Sequence, residues 1–333
     1  MPRIRSIGRI SVLFITTVIA AGVGLALFWF TPAYTPLSPV SAVLITLFVV
    51  IGIVLGSRFS RRLFPVHNVA EVEVDGPITR DGGTGPFPFG GVGASANEIV
   101  ELIESADDDG HTKALIVRLN TPGGQVVPSE DIRSAIANFD GPTVAYAEDM
   151  ATSGGYWIAS GADEIHARRG TIIGSIGVNA VQLGREELRD KLGLEYRRFV
   201  AGEYKDTPSP WRSLGDHEVE YVQNLIDEYY EQFVETVVAG NGLDDDVVRD
   251  TEARVYLGTE AGNLGLIDHC GPRSEMEDRL AAELAVDTIT VKQLEPRRGP
   301  MGRLGRATQS LAYAFGAGIT RQILQDDGPP VRI

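Results

Sequence analysis

The 333-residue chain has a single cysteine, Cys270, and only four lysines against 26 arginines. One thiol cannot close an intrachain disulfide, so a disulfide-stapled scaffold is excluded, as is a metal centre built on several thiolates. Two nucleotide signatures are absent: there is no GxxxxGK(S/T), and no GxGxxG opens a helix after the first strand. Nothing in the sequence supports nucleotide binding. The longest absence is of charge, because the 48 residues from Ile10 to Ser57 contain no Asp, Glu, Lys, Arg or His.

That uncharged run is apolar in two pieces. Ser11 to Phe30 is long enough for a helix across a ~30 Å hydrocarbon layer and ends in Phe28, Trp29 and Phe30, residues that favour the membrane boundary. Pro32, Pro36 and Pro39 mark a turn, and Val40 to Gly56 is a second apolar stretch. The simplest reading is a transmembrane helical hairpin over residues 1–62. A cleaved signal peptide fits less well, since the apolar region is too long and no small-residue cleavage pattern precedes a polar start. Arg3, Arg5 and Arg9 lie before the first piece and Arg58, Arg61 and Arg62 after the second, with none in the turn. By the positive-inside rule both flanks, and the body beyond them, face the cytoplasm.

The first 62 residues hold six arginines and no acid, so the remainder of a chain with net charge −15 carries −21. An acidic body repels phosphate, which argues against a nucleic-acid partner. Acid excess with arginine in place of lysine also fits a high-salt setting.

From Val69 the body reads strand, turn, helix in repeating order, which implies a parallel sheet covered on both faces. Val69–Val74 alternates apolar and acidic residues, the pattern of an edge or half-buried strand, and Asp75-Gly76-Pro77 ends it. Arg80–Ser95 is Gly-rich and reads as a loop, with Asn97 as cap of the helix that follows. Further strands are expected at Ala114–Leu119, Thr143–Tyr146, Ile165–Ala167, Ile172–Val178 and Tyr196–Val200. Helices are expected at Ser129–Asn138, His217–Ala239 and from Asp245. The tail 296–333 carries apolar residues at Leu311, Phe315 and Ile319, the spacing of an amphipathic helix within Ala307–Leu324.

Three Gly-rich turns follow strand-like segments, where open α/β sheets gather ligands. They are Pro122-Gly123-Gly124, Ser153-Gly154-Gly155 and the stretch Gly170–Gly177. Glycine turns leave N–H groups aimed at an acceptor, as an oxyanion hole requires, although each alone is more simply a tight turn. Ser153 sits where a helix N-cap would sit and becomes a nucleophile only with a base in reach. No histidine has a motif around it. Lys205, one of four lysines, lies in Gly202-Glu203-Tyr204-Lys205-Asp206, and a neutral lysine amine can serve as a general base.

Taken together these residues resemble the signal peptide peptidase A family of S49 serine peptidases. The resemblance rests on Met150-Ala151-Thr152-Ser153-Gly154-Gly155-Tyr156-Trp157, with Pro122-Gly123-Gly124 upstream. Downstream lie Gly174-Ser175-Ile176-Gly177-Val178, Gly202–Asp206 and Tyr256–Ala261 with Gly265-Leu266-Ile267-Asp268. It runs from about Val69 to Gly271, with Lys205 52 positions after Ser153. It implies an α/β, Clp-protease or crotonase-like fold with a parallel-sheet core, placed here at 63–295 behind the N-terminal transmembrane helical hairpin. It also implies a Ser/Lys dyad in which Ser153 is the nucleophile, Lys205 the general base and Ser175 the residue that holds the lysine amine. Gly154 and the Gly123-Gly124 turn would supply the oxyanion donors. No cofactor or metal is implied. Expected partners are peptide substrates, signal-peptide remnants or other apolar membrane-associated peptides, and further copies of the chain in a homo-oligomeric ring. Two apolar segments in place of the usual single anchor depart from the family pattern. Two other readings compete: a catalytically silent membrane scaffold, and a crotonase-type acyl-CoA enzyme, which leaves Ser153 and Lys205 without roles.

Overall fold

The computed structural model describes residues 2–30, 39–63, 67–83, 93–207 and 209–296. The tip of the Gly-rich loop and the tail from residue 297, with its expected amphipathic helix, lie outside the described residues. Two helices come first, α1 (Pro2–Phe30) and α2 (Pro39–Leu63). Their windows Ile10–Leu27 and Ala42–Ser60 are long and apolar enough to cross a membrane. They meet through small residues one turn apart: Gly52 faces Ala20 and Gly56 faces Thr16, so closely that a methyl group on either glycine would collide with the opposite helix. Such close backbone approach is how apolar helices associate where burial from water provides no drive.

The body continues with β1 (Val69–Asp75), β2 (Ile78–Thr79), β3 (Ala94–Ser95), α3 (Ala96–Asp107), β4 (Ala114–Thr121), α4 (Val126–Ala137) and β5 (Thr143–Thr152). Then come α5 (Gly154–Ala159), β6 (Glu164–Ala167), β7 (Ile172–Gly174), α6 (Glu186–Lys191), α7 (Asp216–Asn241) and α8 (Asp245–Arg249). The last elements are β8 (Val255–Leu257), α9 (Gly258–Asn263), β9 (His269–Cys270), α10 (Arg273–Glu283) and β10 (Val291–Leu294). The main sheet runs β10-β1-β4-β5-β6-β9, parallel throughout, while β7 joins the far end of β5 and carries β8 antiparallel. This is the α/β class with a parallel-sheet core that the strand-helix alternation implies.

Both faces of the sheet are covered, which is why Ala114–Leu119 reads mostly as an apolar run rather than an alternation. On the larger side Val72, Leu115, Val117 and Ala145 pack with Ile99, Ile103, Ile132, Ile136, Ile158 and Phe233. On the smaller side Ile116, Val144 and Tyr146 pack with Met276 and Leu280 of α10.

The structure corrects several expectations. β1 is an interior strand between β10 and β4. Of its acids, Glu71, only 2% exposed, pairs with Arg118 and Arg273, and Glu73 pairs with Arg118 at 2.7 Å. The alternation therefore records ion pairs rather than an edge facing water. Ser95, not Asn97, caps α3, its Oγ accepting from Glu98 N–H at 3.3 Å, while the Asn97 amide donates to Asp81. α4 starts three residues before Ser129, at Val126. Tyr196–Val200 forms no strand: its residues have β-forming side chains but no strand beside them, and Phe199 is 89% exposed.

Candidate active site

β5 delivers Ser153. Its first half pairs with β6 through Val144–Ala147, it then slips against β4 between Leu119 and Thr121, and Met150–Thr152 pair with β7. Beyond the slip the strand ends at Ser153, whose φ of 53° and ψ of −123° lie outside the ordinary L-residue regions. Ser153 N–H donates to Gly174 O at 2.9 Å, and its carbonyl accepts from Tyr156 and Trp157 N–H, so the strained geometry is held on both sides. A serine on a sharp strand-to-helix turn projects its hydroxyl out of both elements. The hydroxyl makes no capping hydrogen bond, so helix capping does not account for it.

Ser153 opens onto a cleft of about 500 Å³ whose lining also includes Gly124, Gly154, Ser129 and Ser175. Ser175 is a second non-glycine residue at positive φ, 54°, with its N–H held by Arg254 O. The Gly123-Gly124 turn presses against the Ser153-Gly154 turn: a Cβ at Gly123 would stand 2.5 Å from Gly154 N, and one at Gly154 would stand 3.1 Å from Gly124 N. Gly123 N–H donates to Thr121 Oγ1 at 3.0 Å. The Gly124 and Gly154 N–H groups have no acceptor among the described residues, although Gly124 is bridged to Ile78 through its neighbours' atoms. Two free donors therefore flank the nucleophile candidate, the arrangement that stabilises a developing oxyanion.

The opposite wall is a stripe of α7, with Gln223, Ile226, Asp227, Tyr230 and Phe233 at helical spacing. Sequence reasoning identified this helix but missed its role in the cleft, although its apolar stripe was the available signal. Trp157 is part of the lining, 4.6 Å between ring centroids from Phe233, whereas Tyr156 is buried in the core with its hydroxyl donating to Leu266 O. Burial pushes the Tyr156 phenol pKa well up. Trp157 is held by Glu130, which accepts from its Nε1 at 2.6 Å and from Arg133 and Ser134.

Desolvation raises the Glu130 pKa, but hydrogen bonds from Arg133, Trp157 and Ser134 outweigh it and hold the carboxyl at about 2, below its ordinary 4.5. Because the folded value is the lower one, the stability this group contributes is present above about pH 4.5 and lost as pH falls through about 2. The melting temperature of Glu130→Gln should therefore lie below that of the wild type at neutral pH, with the difference narrowing as pH falls below about 4.5. A difference that stays constant with pH would contradict the assignment.

Ser153, Ser175, Gly124 and Gly154 thus meet in one cleft, with Gly123 directly behind. Lys205 does not: it is solvent-exposed, lies outside the cleft lining and makes no side-chain hydrogen bond or ion pair among the described residues. None of the five histidines lines the cleft. Among the described residues no group of three or more His, Cys, Asp or Glu side chains is placed to hold a metal ion.

Residues 138–287 match the family model of Peptidase family S49. A protease-named protein of Methanocaldococcus jannaschii is 30% identical over 262 residues, spanning 77% of this chain and 83% of its own. Protease 4 of Haemophilus influenzae is 33% identical over 213 residues, 63% of this chain and 34% of the longer relative. Among solved structures, the 1510-N membrane-bound stomatin-specific protease in complex with a substrate peptide is similar with a TM-score of 0.45 at 19% identity. The match covers 69% of this chain and 93% of that one. With the family model matched and the archaeal relative 30% identical over 77% of this chain and 83% of its own length, the chain belongs to peptidase family S49 and is a serine peptidase.

Proposed function

We propose that the chain is a membrane-anchored serine endopeptidase in which Ser153 is the nucleophile and Lys205 the general base. Its substrates are signal-peptide remnants or other apolar, membrane-associated peptides. The observation that carries this reading is the pair of unengaged donors, Gly124 N–H and Gly154 N–H, beside a serine held at positive φ. In this mechanism Ser153 Oγ attacks the scissile carbonyl and passes its proton to the Lys205 amine. The oxyanion rests on the two N–H groups, and the lysine ammonium then protonates the leaving amine. Water, activated by the same lysine, releases the acyl group and restores the hydroxyl. Ser175, in the same cleft, orients the lysine amine.

Lys205 is outside the cleft of its own chain, so the reading extends to assembly: the lysine is supplied by a neighbouring copy in a homo-oligomeric ring. The exposed apolar side chains Val181, Leu183 and Phe199 around the Lys205 segment support a contact surface there. The aromatic and aliphatic lining of Trp157, Ile226 and Phe233 suits an apolar substrate side chain. In this reading the anchor comprises residues 1–62 and the peptidase 63–295, and the arginines on both flanks of the apolar pair favour a cytoplasmic peptidase.

Hydrolysis of fluorogenic apolar peptides by the detergent-solubilised protein at high salt tests the activity, with Ser153→Ala as control. Turnover that persists in a folded Ser153→Ala protein would reject the nucleophile. For orientation, added protease should spare the body in sealed right-side-out vesicles and digest it in inverted ones. The reverse pattern would put the catalytic domain outside.

A further inference from the structure

The segment bearing Lys205 is exposed but not loose. The turn 202–207 is closed by Lys205 N–H to Gly202 O at 3.3 Å and Thr207 N–H to Tyr204 O at 3.2 Å. On one side of the lysine, the Tyr204 ring packs on Tyr221 of α7 at 4.8 Å and lies 5.7 Å from His217. On the other, Asp206 accepts from Arg212 Nη2 at 2.9 Å, from Arg212 Nε at 3.2 Å and from Tyr196 at 3.0 Å, and it pairs with Arg198 at 2.6 Å. Arg212 reaches on to Glu218, only 3% exposed, with two contacts of 2.6 Å. Glu218 also accepts from the Thr207 hydroxyl and from Gly215 N–H, so one guanidinium ties the lysine turn to the first turn of α7. Further along, the same helix lines the Ser153 cleft.

We propose that Arg212 is a positioning residue for Lys205, clamping its turn to α7 and cancelling the charge of the carboxylate next to it. This rests on the reading of Lys205 as the base. The charged and titratable groups around the turn are Glu203, paired with His217 at 3.3 Å, together with Arg198, Asp206, Arg212, Glu218, Tyr196, Tyr204 and Tyr221. Within the clamp two guanidiniums face two carboxylates. The hydrogen bonds of Arg212 are the main reason the Asp206 carboxyl is held below its usual range, so Asp206 stays anionic. Without Arg212, Asp206 keeps only Arg198 and Glu218 loses its guanidinium, so the cluster beside the lysine carries one negative charge in excess; that favours the ammonium, and the neutral base forms only at higher pH. Without the Asp206 charge the surplus is positive and the effect reverses.

The test is the pH dependence of turnover of a peptide without ionisable side chains, in the full-length protein. Four proteins are compared: wild type, Arg212→Gln, Asp206→Asn and the double variant. The alkaline rise should move up by about half a unit or more in Arg212→Gln, move down in Asp206→Asn and return toward the wild type in the double variant. In Arg212→Gln kcat should fall severalfold, with KM little changed. A purely structural role would lower activity without shifting the two single variants in opposite directions, so equal midpoints, or shifts of the same sign, overturn the proposal. If Arg212→Gln does not fold, the direction of the Asp206→Asn shift decides. Lys205→Ala separates the two levels: wild-type turnover in that protein refutes the base itself, whereas loss of turnover with unmoved midpoints refutes only the clamp.

Discussion

Ser153→Ala and Lys205→Ala proteins are each expected to lose roughly 10⁴-fold or more in kcat/KM. In the proposed dyad each substitution removes either the nucleophile or the group that accepts its proton, and so disables a unit whose members act together. Dissociated, mixed in equal amounts and reassembled, the two inactive proteins should recover about one quarter of wild-type activity. In a head-to-tail ring an intact serine meets an intact lysine from its neighbour in one of four random pairings, about one quarter of the sites. The physical reason lies in the placement of Lys205, exposed and outside the cleft that holds Ser153. If both variants are inactive alone and the mixture stays inactive, the lysine serves the serine of its own chain. Activity of Lys205→Ala by itself would remove the lysine from the mechanism.

Gly123→Ala is the second large effect, although it adds only a methyl group. Gly123 has a φ of 95°, and its new Cβ would lie 2.5 Å from Gly154 N, 2.9 Å from Thr152 O and 3.0 Å from Ser153 Cβ. The backbone atoms among these cannot swing aside as a flexible side chain can, so the two turns must separate and carry the Gly124 and Gly154 N–H groups off their common target. Losing one oxyanion donor costs about 2.7–4 kcal/mol in the barrier, so kcat should drop by about 100- to 1,000-fold. Left-handed strain for a residue with a Cβ adds roughly 1–2 kcal/mol of destabilisation, readable as a lower melting temperature. Gly170→Ala is the matched control, because a Cβ there meets nothing within 4 Å, and it should leave kcat unchanged. Wild-type kcat in Gly123→Ala would mean that this turn does not shape the oxyanion site.

How much of the site could be read in advance depended on how local its causes are. Gly123, Gly124, Ser153, Gly154 and Ser175 are legible because close backbone approach and positive φ leave few residue choices, and those choices recur as short motifs. The engaged Gly123 N–H and the free Gly124 N–H were not legible, since which donor is spent depends on where the Thr121 hydroxyl lies. Trp157 could equally have been core or cleft, and its contacts with Glu130 and Phe233 come from two other helices. Tyr196–Val200 shows the converse error: β propensity is a preference for a pleated surface, and without a neighbouring strand the chain stays irregular.

By itself, the sequence determined the two apolar helices, the alternation that yields a parallel sheet, and the glycine turns around Ser153. Each follows from hydrophobic periodicity or from the backbone freedom of one residue type, and neither needs a distant partner. Only the tertiary structure decided which strand is interior, which helix faces Ser153, and that Lys205 sits on an exposed turn away from the cleft. Those outcomes depend on contacts between residues far apart in the chain, such as Glu71 with Arg273 or the α7 stripe with Ser153, whose meeting no local pattern records.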